Sequence, residues 1–282
     1  VRALGELLFE NSKETFVVHH RKAMSHHMVS SHFHRTYEIY YLMSGKREFF
    51  IKDRTIVIEE GDMIILSPNI LHRTTNTEIP EHERFIVNIH ESYLTAPDGS
   101  HAEALNPLFG KEYIYLKGSS RGRAIIEPIA NSIIREVQEK KPGFERYAQA
   151  LTLQLLIECC RLLSESGYNA PAPTSSKHER ISEVVRFINS HYMEELSLER
   201  LAERFYISPY YLSRFFKEAT GFTYVEYLNN VRIKEAMTLL LSSSMKANMI
   251  AKRVGFGSVT HFGRVFKQIT GYPPSFYRKD GR

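Results

Sequence analysis

The chain has 282 residues, 43% of them apolar and 24% charged, enough for two domains of ordinary size with a core in each. Its two cysteines, Cys159 and Cys160, are adjacent, which excludes a spaced disulfide framework or a cysteine-based zinc site and favours a reducing compartment. The net charge of +5 is unevenly placed: residues 177–282 carry 17 Lys and Arg against 10 Asp and Glu, residues 1–176 carry 20 against 22, and a basic C-terminal part suits a polyanionic partner.

No apolar run reaches the roughly 18 residues of a membrane span. The opening stretch VRALGELLFENSKET lacks the basic, apolar and small-residue order of a secretory signal. The expectation is a cytoplasmic protein with no membrane partner. Residues 15–90 read as short strands rich in β-branched and aromatic residues: YEIYYLM, REFFIKD, TIVIEE, DMIIL and RFIVNIH, with SGK and EEGD between them as turn signals. That spacing predicts an antiparallel sandwich or barrel.

Within this region HFHRTYEIYYLMSG (32–45) places His32, His34, Glu38 and Tyr40 on even positions, one side of a continuous strand. GDMIILSPNILH (61–72) ends in His72. The pair of stretches resembles a cupin barrel. The pattern His-x-His-x3-Glu-x6-Gly is complete up to Gly45, whereas the second half is looser, with Asn69 where glycine is frequent. Two readings stay open. His32, His34, Glu38 and His72 are a ligand set suited to Fe, Mn, Ni or Zn, which would make this a metalloenzyme with the basic C-terminal part fused to it. Alternatively His32, His34, Glu38, Tyr40 and His72 line a metal-free pocket for an organic effector, or simply hydrogen-bond inside the barrel. Tyr37, Tyr40 and Arg73 near the mouth would suit a sugar or another polar metabolite. There is no phosphate-binding glycine loop and no nucleophile elbow, so no catalytic residue and no cofactor is assigned.

Two helical segments follow. Arg123–Lys141 repeats Ile126, Ile129, Ile133, Ile134 and Val137 at spacings of three and four, and Phe144–Ser164 resumes after Pro142-Gly143. They predict an antiparallel hairpin. The second helix is apolar on more than one face, so it either packs wholly on its own domain or is partly covered by a second subunit. SGYNAPAPTSSK (166–177) reads as an exposed linker. The expected domains are 1–165, a linker 166–177, and 178–282.

Beyond the linker the pattern is wholly helical, with helices expected near 178–191, 198–205, 209–219, 223–242, 247–254, 259–269 and 274–279. RFFKEATG (214–221) returns as RVFKQITG (264–271), and Leu201-Ala202 returns as Ile250-Ala251. Each copy is a short helix, a tight turn, a second helix and a glycine stop, the helix-turn-helix arrangement. In the first copy Tyr210, Ser213, Arg214 and Lys217 lie opposite an apolar stripe. In the second, Thr260, Gly263, Arg264 and Lys267 do so. Arg pairs bidentately with guanine and Lys binds phosphate, so two such heads joined by a long helix suit successive major grooves about 34 Å apart.

Residues 178–279 resemble the DNA-binding domain of the AraC/XylS family of transcription regulators. The resemblance rests on LSLERLAERFYISPYYLSRFFKEATG, YLNNVRIKEAMTLLL and VGFGSVTHFGRVFKQITGYPPSFYR. It implies base-reading positions at Tyr210, Ser213 and Arg214 and at Val259, Thr260, Gly263 and Arg264; glycine at 263 departs from a side chain able to reach a base. It implies double-stranded promoter DNA and RNA polymerase as partners and an activator controlled by a small-molecule effector such as a sugar; the helical hairpin 123–164 is expected to form a homodimer. The expected architecture is multidomain α+β: a cupin-like β-barrel with a helical hairpin, then an all-α domain of two helix-turn-helix units joined by a long helix.

Overall fold

The computed structural model describes residues 3–24, 36–77, 80–96, 98–166 and 176–279. Among these, eight strands come first: β1 (Ala3–Glu10), β2 (Phe16–Ala23), β3 (Tyr37–Ile51), β4 (Arg54–Glu59), β5 (Met63–Leu66), β6 (His72–Asn76), β7 (His82–Ile89) and β8 (Tyr113–Leu116). Every pairing is antiparallel. The order is β1-β2-β7-β3-β5-β8, and β4 and β6 add to the far half of β3.

β3 departs from expectation. Ser44-Gly45-Lys46 is not a turn between two strands but the interior of one 15-residue strand. Before Gly45 this strand pairs with β5 and β7; after it, with β4 and β6. The register slips between Leu42 and Ser44, and Gly45 has φ +91 with the Glu81 carbonyl and His82 crowding the place a Cβ would take. A bulge closed by glycine bends the strand from one sheet face into the other. The slip also switches parity: Tyr40 and Leu42 before it and Phe49 and Ile51 after it share the barrel's interior core.

The other face of the first sheet carries Tyr37, Ile39, Tyr41, Phe85 and Val87. Over it lies the helical hairpin α1 (Ser120–Glu139) and α2 (Phe144–Ser166). Ser119 caps α1 by accepting from the Gly122 amide, and Gly143 turns the chain with φ +85. Leu151, Leu153 and Ile157, which flank the buried stripe of α2 and widen its apolar surface, are partly buried against this same core.

The C-terminal part is helical among the described residues: α3 (Ser176–His191), α4 (Leu198–Arg204), α5 (Pro209–Thr220), α6 (Tyr224–Ser242), α7 (Ala247–Arg253), α8 (Val259–Thr270) and α9 (Pro274–Lys279). α2 and α3 extend into both ends of the expected linker; its residues 167–175 lie outside the described set. The two repeats pack alike. Phe216 meets Tyr227 edge-on in one, Phe266 meets Tyr277 in the other. Each has its own apolar core, and α6 contributes to both.

The first repeat's core also takes in Phe50 and Leu71 from the barrel. The two-residue turn between β3 and β4 seats against α5 and α6: Thr55 Oγ1 donates to the Ala219 carbonyl at 2.6 Å, and the Tyr227 hydroxyl donates to the Lys52 carbonyl at 2.9 Å. Arg73 of β6 lies over the Phe222 ring. Among the described residues no helix is long and apolar enough to cross a membrane.

Candidate nucleic-acid interface and effector pocket

α5 and α8 are built by the same local chemistry. Ser208 and Ser258 sit in extended backbone and accept the first-turn amides of Tyr211 and His261, satisfying donors a helix start leaves open. Gly221 and Gly271 end the helices at φ +77 and +79, the left-handed stop that glycine adopts without steric penalty. Between the caps, Leu212, Phe215, Phe216 and Ala219 are buried on α5, and Phe262, Val265 and Phe266 on α8.

The opposite faces are open. Tyr210, Ser213, Arg214 and Lys217 on α5 are all exposed. Val259, Thr260, Arg264 and Lys267 on α8 are exposed too, and Gly263 lies half-buried among them. A Cβ at Gly263 would meet nothing within 4 Å, so the missing side chain leaves free space on that face. The structure thus brings each set of sequence-predicted DNA contacts together on one helix surface, opposite its own core.

The effector residues divide differently. His32 and His34 lie outside the described residues. Glu38, Tyr40 and His72 are buried inside the barrel. His72 Nε2 stands 3.4 Å from a Glu38 carboxylate oxygen, its Nδ1–H donates to the Ile70 carbonyl at 2.9 Å, and its ring stacks on Phe49. Burial resists charging His72, but the Glu38 carboxylate outweighs it and raises the imidazole pKa above its ordinary value. His72 and Glu38, the described half of the expected ligand set, are thus paired with each other, with Nδ1 of His72 turned to the Ile70 carbonyl.

Sequence reasoning missed a second interior group: Arg47, Thr74, His82 and Arg84, all buried. Arg84 and His82 belong to β7, whose other face feeds the sheet–hairpin core through Phe85 and Val87. With both faces covered, the alternation that would have marked Arg84 as inward-facing is hidden.

Two family models match the chain: "AraC-like ligand binding domain" over residues 15–156 and "Helix-turn-helix domain" over residues 201–280. The chain belongs to the AraC family of transcription regulators. Among its relatives, the HTH-type transcriptional regulator YisR of Bacillus subtilis is 28% identical over 252 residues, 86% of this chain and 85% of that one. YijO of Escherichia coli, also an HTH-type transcriptional regulator, is 30% identical over 170 residues, 60% of this chain and 56% of its own length. A crystal structure of apo ToxT from Vibrio cholerae covers 96% of this chain and 98% of its own at 15% identity, with a TM-score of 0.41. This AraC-family chain thus joins a cupin-like ligand-binding domain to a helix-turn-helix DNA-binding domain, and the named relatives are regulators of transcription.

Proposed function

We propose that this protein is a cytoplasmic transcription activator in which the barrel binds a small polar metabolite, a carbohydrate or a derivative of one. The DNA-binding domain spans 178–282 and grips promoter DNA at two tandem half-sites, where it engages RNA polymerase. A homodimer forms through the hairpin 123–164, using its polar outer surface, since the apolar surface of α2 is engaged at home. Tyr210, Ser213 and Arg214 read the first half-site; Val259, Thr260 and Arg264 read the second. Lys217 and Lys267 hold phosphates. Gly263 contributes no base contact.

The observation that carries this reading is the pair of exposed, basic, identically capped helix faces, one per repeat, each backed by its own core. Titration of the full chain with promoter DNA tests it. Arg214→Ala and Arg264→Ala should each weaken specific binding by about 1–3 kcal/mol, and Lys217→Ala should lower the salt slope by about 1 with little change in sequence preference. Unchanged specific binding in both arginine variants would mean that other surfaces read the DNA.

A further inference from the structure

The polar group deep in the barrel carries more positive charge than its carboxylates can match. Arg47 on β3 is fully buried and Arg84 on β7 is 4% exposed. Arg21 on β2 stands directly across from Arg84 in the β2–β7 register. The neighbouring carboxylates are committed elsewhere. Glu6 takes Arg21 and His19, Glu83 takes His20 and Lys22, and Glu38 takes His72 and the Asn88 amide. Arg84 makes no hydrogen bond or ion pair among the described residues, and its Nε is buried without a partner. A largely buried guanidinium with no carboxylate beside it among the described residues is a costly arrangement for a core.

Other unsatisfied atoms gather with it. Thr74 Oγ1 is buried without a partner, and Thr74 sits diagonal to Arg47 on the β3–β6 pair. His82 is fully buried; its Nδ1–H donates to the Pro80 carbonyl at 3.0 Å, which leaves Nε2 without a partner. Arg47, Arg84 and Arg21 all act on His82 to disfavour its charged form, which places the four groups in one neighbourhood. The Tyr40 hydroxyl faces Arg47. Apart from the Glu38–His72 pair, the neighbouring interior is apolar, with Leu42, Phe49, Ile56, Ile58, Ile64 and Ile86.

We infer that the barrel's effector carries an anionic group, a carboxylate or a phosphate, which seats against Arg84 and Arg47 with Thr74 and His82 beside it. This rests on the reading of the barrel as an effector pocket and narrows that reading: a neutral sugar would bring no charge to Arg84, whereas a sugar acid, a sugar phosphate or another small organic acid supplies one. The anion also lets His82 take up a proton and donate from Nε2, completing the set.

Thermal unfolding of the full chain with matched probes tests this: glucuronate and glucose 6-phosphate against glucose, with acetate and inorganic phosphate as bare head groups. The anionic members should raise the melting temperature and glucose should not. The glucuronate and glucose 6-phosphate arms separate carboxylate from phosphate. Arg84→Met should lower the apparent affinity for the effective anion by about tenfold or more. The same substitution should raise the melting temperature of the ligand-free chain, because it removes an unmatched buried charge. A purely structural role for Arg84 predicts the reverse, a less stable free protein. The inference is overturned if no anion, inorganic phosphate included, stabilises the wild type more than Arg84→Met. Promoter titration with each probe separates the two layers: a neutral sugar that binds and changes DNA affinity sinks the anionic assignment and leaves the effector pocket standing. An anion that binds with full Arg84 dependence and never changes DNA affinity sinks the sensor reading alone.

Discussion

His82 is held neutral by what surrounds it. Burial comes first; the charges of Arg47 from β3, Arg84 from β7 and Arg21 from β2 add to it, and together they push its pKa from 6.5 down to about 4. The unfolded chain therefore takes up a proton at this residue in a range where the folded chain does not. The stability His82 contributes is fully present above about pH 6.5 and is lost as the pH falls toward 4, a change of about 2–3 kcal/mol. His19, lowered first by burial and then by Arg84, works in the same direction. Urea midpoints at pH 7 and pH 5 should differ clearly in the wild type and much less in His82→Gln, with His19 supplying the remaining slope. Equal slopes in the two proteins would place His82 in contact with solvent. None of this was legible in the sequence: His82 stands two residues before RFIVNIH and Arg84 opens it, with no local sign that either is buried. Tyr206 shows the same limit in another form. It adopts φ +54 in the turn of the first helix-turn-helix, where the second repeat has Gly255, and it is 92% exposed. The offset between copies locates the turn, but a tyrosine does not announce a left-handed residue.

At the scale of elements, the helices were legible nearly to the residue because their ends are written in side-chain chemistry. Ser208-Pro209 opens α5, Thr223 and Glu226 close a reciprocal capping box on α6, and Gly221 and Gly271 stop α5 and α8. Strands carry no such punctuation. β1 (ALGELLFE) and β6 (HRTTN) have neither clean alternation nor β-branched runs throughout, and their pairing comes from partners far along the chain: β2 for β1, β3 for β6. Gly45 was legible as a glycine the fold requires and misleading as to why. It looks like a hairpin turn and is instead the bend that lets one strand serve both faces of the barrel. Gly45→Ala should therefore destabilise the protein by about 1–3 kcal/mol, through both the positive φ and the crowding by the Glu81 carbonyl and His82. A hairpin-turn glycine open to solvent would suffer only the first of these. The check is the shift in denaturant midpoint for Gly45→Ala set beside Gly110→Ala, a glycine at φ +88 with nothing within 4 Å of the added Cβ. Equal shifts would show that the close approach at Gly45 is relieved without cost.

At the scale of the molecule, the barrel and the first DNA-reading unit share a core, and β3 runs through both. Arg47 and Phe49 face the barrel interior; Phe50, between Phe49 and Ile51, turns outward and meets Phe222 and Tyr227 edge-on. β6 repeats the device, with His72 inside against Glu38 and Arg73 outside over Phe222. An effector changes DNA affinity only by binding one arrangement of the two domains better than another. Strands with alternate residues in the barrel interior and in the domain contact give an effector bound in the interior a physical means to create that difference. The contact is also substantial: Phe50 is 3% exposed, and truncating a buried phenylalanine to alanine costs about 3–5 kcal/mol. Because Phe50 binds the domains to each other, part of that loss should appear as lost cooperativity. In calorimetry the wild type should unfold with the barrel and the first helix-turn-helix in one transition, whereas Phe50→Ala should split the transition in two. In the same variant, any change in promoter affinity produced by an effector should shrink from the usual range of about 5–150-fold toward none, while the exposed faces of α5 and α8 keep their own grip on DNA. An effector response that survives intact in Phe50→Ala would move the route of communication away from β3, to the hairpin of α1 and α2.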